Sequence, residues 1–162
     1  MQMRCHRMAA NLAGEGGWSA WTWAMEDPAT TETILEREVR LEVAIVHVWD
    51  VIGSFENAIG AFQRRVEMER TTRGDGWLVS GVVVIANTGS NRRRLSETGR
   101  PVDVAFTHRG AEWLAALGKT RVPMPTGLGM IWTDLRLMRL RPLLMDVDFR
   151  RRSQARGRRP GG

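Results

Sequence analysis

Four acids and one histidine fall close enough in the chain to suggest chemistry: Glu32, Glu42, His47, Asp50 and Glu56. Two carboxylates that converge can work as general acid and base. Carboxylate oxygens are also what a hard Mg²⁺ ion binds, and Glu32, Asp50 and Glu56 are the set that could hold one. Asp50 ends a strand, where α/β sheets tend to bind ligands. Acids at strand ends and in first helical turns are equally ordinary caps. His47 is either a ligand or base, or a hydrogen-bonded core residue of an apolar strand; Asp50 and Glu56 are the acids nearest to it in sequence. Arg92, Arg93 and Arg94 follow the polar turn Asn87-Thr88-Gly89-Ser90-Asn91. Cations at a helix start, beside free N–H groups, suit a phosphate; a solvated charged face is the other reading. Gly14-Glu15-Gly16-Gly17 lacks the Gly-Lys-Ser/Thr ending of a phosphate loop.

The elements that must position these residues can be read from periodicity. Residues 3–14 form a short helix closed by glycines. Residues 18–26, with Trp21 and Trp23 at period 2, and residues 32–38 read as strands. VAIVHVW, residues 43–49, is apolar on both faces, as a covered strand is. Ser54 caps a helix whose Phe55, Ala58, Ile59, Phe62 and Val66 share a stripe, while Gln63, Arg64, Glu67 and Arg70 face away. WLVSGVVVIAN, residues 77–87, is a central strand. A helix follows near Arg92–Leu95, another covers 109–117, and 129–134 with 137–142 form a closing pair of strands. The helix between 43–49 and 77–87 makes those two strands parallel neighbours. The order α-β-β-β-α-β-α-α-β-β predicts an α/β sandwich around a mixed sheet, in one domain spanning 1–149.

Composition narrows the classes. No apolar run reaches the roughly 18 residues of a membrane helix, and residues 1–17 lack a secretory apolar stretch, so a cytoplasmic protein is expected. The single cysteine, Cys5, excludes an internal disulfide and a cysteine-cluster zinc site. The net charge of +6 is local. Arg150, Arg151, Arg152, Arg156, Arg158 and Arg159 lie in the last 13 residues; without these six, 18 basic residues face 18 acidic ones. That tail, 150–162, is expected to be disordered and able to neutralise phosphates without reading sequence. The seven tryptophans sit mostly inside apolar segments, with Trp77 the one expected at the surface.

The strand-strand-strand-helix-strand order resembles the restriction-endonuclease-like, PD-(D/E)xK fold, a three-layer sandwich around a mixed central sheet. Residues 18 to about 142 resemble, more narrowly, the C-terminal domain of bacterial XRE-type helix-turn-helix transcriptional regulators. Phe62-Gln63-Arg64-Arg65 is similar to the family's L-D-R-K helix end. Val82-Val83-Val84-Ile85, then Thr88, Asn91, Arg92, Arg93 and Arg94, is similar to its apolar strand and T-x-x-N-R-R segment. Gly110, Trp113 and Leu114 match its G-x-x-W-L segment, and Ile131-Trp132-Thr133-Asp134 its closing W-x-D strand.

The resemblance implies a Mg²⁺-dependent nuclease site, and its positions are degenerate here. Counting back from Arg64 at the family's spacing puts its first acid on Glu32, its glutamate on His47 and its lysine on Trp49. Imidazole is a poor Mg²⁺ ligand, and an indole can neither hold a metal nor polarise a water. The sole lysine, Lys119, lies far along the chain on a loop. About 17 residues precede Trp18, too few for a helix-turn-helix. The expectation is a non-catalytic nuclease-fold domain without a cofactor, with a DNA-associated or transcription-regulatory role, contacting phosphates through Arg92–Arg94 and Arg150–Arg152. A helix-turn-helix protein is its candidate partner. The alternatives are a metal-dependent nuclease with a site migrated to Glu32, Asp50 and Glu56, and a protein-binding module.

Overall fold

The computed structural model describes residues 2–24, 31–50, 53–98, 100–108, 110–134 and 136–142. The elements are α1 (Gln2–Glu15), β1 (Ser19–Ala24), β2 (Thr31–Arg37), β3 (Glu42–Trp49), α2 (Phe55–Arg73), β4 (Leu78–Ala86), α3 (Gly89–Thr98), α4 (Arg100–Ala105), α5 (Gly110–Gly118), β5 (Gly129–Asp134) and β6 (Arg139–Pro142). The strands form one six-stranded sheet in chain order, β1-β2-β3-β4-β5-β6. β1, β2 and β3 run antiparallel in turn, β3/β4 and β4/β5 are parallel, and β5/β6 is antiparallel. The mixed α/β class read from the sequence is therefore present, with β3 and β4 as parallel neighbours across α2.

Strand alternation sorts the side chains into two cores. On one face Ile34, Val43, Ile45, Val79, Val83, Ile85 and Met130 meet Phe55, Ile59, Phe62 and Val66 of α2 and Val102 of α4. On the other, Leu35, Val46, Val48, Val82, Val84 and Ile131 meet Cys5, Ala9 and Ala13 of α1 and Trp113 and Leu117 of α5. The small residues of α1 recur every fourth position, which lets its backbone lie close to the sheet. Each fully buried aliphatic side chain contributes about 1.5–3 kcal/mol. β3 and β4 are covered on both sides, which is why their sequences show no alternation.

Two glycines are set by close approach. A side chain at Gly81 would place its first carbon 2.5 Å from Phe62, so α2 could not seat on β4. A side chain at Gly129 would overlap the Trp113 ring. Ser54 does cap α2, its hydroxyl accepting from the Asn57 N–H at 3.4 Å, and Gly74, at φ 75°, ends that helix.

Arg37 and Glu42 form a buried hub under the second core. Arg37 Nη2 lies 2.5 Å from Glu42 Oε2. Arg37 also donates to the carbonyls of Gly16, Lys119, Thr120 and Val122, and its guanidinium covers the Trp18 ring at 4.3 Å. Glu42 Oε1 accepts from the Met124 N–H at 2.9 Å. Glu42, weighed above as an acid–base candidate, thus ties β3 to the loop after α5.

Three readings are revised. The helix expected near Arg92 begins at Gly89, because the Thr88 hydroxyl accepts from the Asn91 N–H at 3.1 Å and so caps it earlier. α4 was hidden by Pro101, which reads as a breaker yet is tolerated in a first helical turn. Trp77 is half-buried beneath the Arg73 guanidinium, at 5.2 Å, while Trp21 and Trp23 are the exposed indoles, at 46% and 48%. The tail 150–162, with Arg150, Arg151 and Arg152, lies outside the described residues.

Candidate functional site

The register of β2 on β3 sets Glu32 directly opposite His47. Both point to the α2 face, and Arg65 reaches them from the helix above. His47 Nε2 lies 2.9 Å from Glu32 Oε2. A ring nitrogen bonded to a carboxylate must carry the proton, so Nε2–H donates. Arg65 donates to the other oxygen, Oε1, from Nη2 at 2.7 Å and Nε at 3.1 Å. Glu32 is 3% exposed. Burial pushes its pKa up, but the hydrogen bonds from His47 and Arg65 and the charges of both outweigh it, and the carboxyl titrates below its ordinary range.

The pair extends into a ladder along α2. Arg65 Nη1 binds Glu69 Oε2 at 3.0 Å, Arg73 Nε binds Glu69 Oε1 at 2.9 Å, and Arg73 Nη1 binds Glu36 Oε2 at 2.6 Å. Arg65, Glu69 and Arg73 are four apart, so they share a helix face. Glu32 and Glu36 are an even number apart, so they share a strand face. Charges therefore alternate from sheet to helix, and each carboxylate has a guanidinium partner. The sequence reading placed Arg65 only within a motif and missed Glu36, Glu69 and Arg73. The available signal was the Arg-x₃-Glu-x₃-Arg spacing beside the apolar stripe.

Trp49, two residues beyond His47 on the same face, enters an aromatic cluster. Its ring centroid lies 6.1 Å from Phe55, 6.4 Å from Phe62 and 6.2 Å from Phe106, edge-on in each case. The His47 ring packs on Phe62 at 4.8 Å. The space at the end of β3 beneath α2 is thus lined with rings.

The residues of the alternative metal set do not converge. Asp50 continues the alternation of β3 to the α1 face: the Gln2 backbone N–H approaches it, and burial raises its pKa against that contact. Glu32 lies on the opposite face of the sheet. Glu56 is exposed in the first turn of α2, where an acid complements the helix dipole. Among the described residues no three of His, Cys, Asp and Glu are grouped to hold a metal ion. The donor chemistry points the same way: both Glu32 oxygens already accept hydrogen bonds, and His47 Nε2 carries a proton. As placed among the described residues, Glu32, Asp50 and Glu56 do not form a Mg²⁺ site.

The Arg92–Arg94 segment lies on α3. Arg92 and Arg93 are exposed; Arg92 Nη1 reaches Asn87 Oδ1 at 2.7 Å. Arg94 is partly buried and donates to the Gly53 carbonyl at 2.5 Å. Asn91 is fully buried, and its amide donates to the carbonyls of Asp50, at 2.8 Å, and Ala86, at 2.9 Å. It fastens the ends of β3 and β4 together and so fixes where the two outer arginines project. Among the described residues, no helix is long and apolar enough to cross a membrane.

No protein-family model, curated protein or solved structure matches this chain.

Proposed function

We propose that the chain is a non-catalytic domain on a restriction-endonuclease-like scaffold, with a cytoplasmic, DNA-associated or transcription-regulatory role. One observation carries the loss of catalysis: the Glu32 carboxylate is satisfied by Arg65 and His47, with Trp49 packed among phenylalanines beside it. A guanidinium stands against the acid where the resemblance calls for a divalent cation. It balances the buried charge without offering open coordination positions or activating a water. The α-β-β-β-α-β order, with β3 and β4 parallel across α2, supports the scaffold.

DNA contact is assigned to phosphates, through Arg92 and Arg93 on α3, with Arg94 and the tail arginines Arg150, Arg151 and Arg152 adding charge. Such binding is tolerant of sequence and steeply salt-dependent. Recognition of a particular sequence then falls to a helix-turn-helix partner. Incubation of the full chain with labelled duplex in Mg²⁺ or Mn²⁺ tests both halves. The proposal expects retardation that weakens with salt, and intact DNA. Cleavage abolished by Glu32→Ala would establish a nuclease instead, and specific capture of a partner without any DNA affinity would establish a protein-binding module.

A further inference from the structure

The edge strand β1 carries a different kind of information. Across Ser19–Ala24 it has no charge and no proline, the two features that usually block edge pairing. Among the described residues no strand covers its outer side. Trp21 and Trp23 both project to the α2 face, opposite Ile34 and Glu32 of β2, and both are about half exposed. The acids beside them, Glu32 and Glu36, are already paired with Arg65 and Arg73. That border therefore presents apolar rings against neutralised charge.

The other edge is built differently. β6 is Arg139-Leu140-Arg141-Pro142, with both arginines exposed and a proline at its end. Arg141 lies 3.5 Å from Asp134, which offsets part of its charge, but two copies of β6 paired antiparallel would still set Arg139 against Arg141, whereas two copies of β1 bring no charge of their own together. Charge thus selects one edge for self-pairing.

We propose that β1 is a homodimer edge: two copies of this chain pair antiparallel about Thr22, extending the sheet across a two-fold axis. This centre puts Trp21 of each copy opposite Trp23 of the other. Directly opposed residues on one face are in contact, so four indoles form one cluster. The two Thr22 residues oppose each other on the reverse face. Half-exposed tryptophans supply about 120 Å² each, or about 240 Å² per copy, taking about 250 Å² for a whole side chain. That is well below the roughly 800 Å² per partner of a standard interface. The dimer is therefore weak and reversible, populated only at high protein concentration.

Sedimentation velocity on the full chain from about 5 to 500 µM tests this. The weight-average mass should climb toward twice the monomer, with a blue shift of indole emission. The double variant Trp21→Lys, Trp23→Lys should stay monomeric over the whole range with an unchanged circular dichroism spectrum. A wild type that remains monomeric at 500 µM overturns the proposal, as does a folded double variant that still dimerises. Should that variant fail to fold, Thr22→Cys in a Cys5→Ala background decides. Mild oxidation at high concentration should trap a disulfide-linked dimer, and its absence overturns the pairing about Thr22.

Discussion

Replacing Arg65 with methionine should expose how the Glu32 carboxylate is held. Methionine keeps much of the apolar stem, so the change removes mainly the charge and the donors. Glu32 would remain 3% exposed, with one oxygen on His47 and the other deprived of its partner. Breaking a buried pair from one side costs about 3–5 kcal/mol. Arg65 is itself partly exposed, at 16%, and Glu69 keeps Arg73, so about 3 kcal/mol is expected at pH 8. The pH dependence gives a sharper test than the magnitude. In the native protein the Glu32 pKa is depressed. Its stabilisation is complete above the ordinary carboxylate range and is lost as pH falls through the depressed value. Without Arg65, burial dominates and raises that pKa, so the variant takes up its proton at higher pH. The gap between variant and wild type must then narrow between pH 8 and pH 5. Adding Glu32→Gln to Arg65→Met should recover at least about 1 kcal/mol, since neither buried charge remains. Urea unfolding followed by tryptophan fluorescence at both pH values measures all three quantities. If Arg65→Met stays within about 0.5 kcal/mol of wild type at pH 8, or its deficit is as large at pH 5, then Glu32 is not held by Arg65 in the way argued.

Further outcomes follow from other parts of the fold. His6 lies on the buried face of α1 with its pKa lowered to about 4 from 6.5, chiefly by burial. The unfolded chain therefore binds a proton that the folded chain refuses, and stability should fall by up to about 3 kcal/mol as pH drops from 6.5 to 4; His6→Gln should flatten that limb of a urea midpoint profile. Arg37→Met should cost about 3–5 kcal/mol by chemical denaturation, and Arg37→Lys should not restore it, because one ammonium cannot match the spread of Glu42 and four carbonyls. If α3 contacts phosphates, Arg92→Ala with Arg93→Ala should lower the salt slope of DNA binding by about 2, near 0.9 per phosphate, without moving the melting temperature. An unchanged slope would remove α3 from the interface.

Much of the fold was legible because β3, β4 and α2 carry strong local patterns. The uncharged, β-branched Val82–Ile85 run reads as a covered strand, and the stripe Phe55, Ile59, Phe62, Val66 as the helix face packed on one side of it. The site was half legible. Glu32 and His47 were singled out, yet their mutual contact depends on the β2/β3 register, which no local pattern in either strand specifies. Arg65 escaped because a cation beside an apolar stripe reads as solvated, whereas its stem carries the charge down to a buried acid. Asp50, at a strand end, and Glu32 were grouped as carboxylates that could share a metal ion. The two faces of a strand separate them, and this follows from counting alternation along β3 once its register is known. Trp21 and Trp23 looked like core residues by their period of two. That period shows only that they share a face, and at a sheet edge that face is not fully covered.

The central claim is that the acid of this site is engaged by protein and not available to a divalent cation. Titration of the full chain with Mn²⁺, followed by electron paramagnetic resonance of the free ion, tests it most directly. No saturable binding should appear below millimolar Mn²⁺, and Glu32→Ala should leave the curve unchanged. A single site of micromolar affinity that disappears in Glu32→Ala would contradict the account.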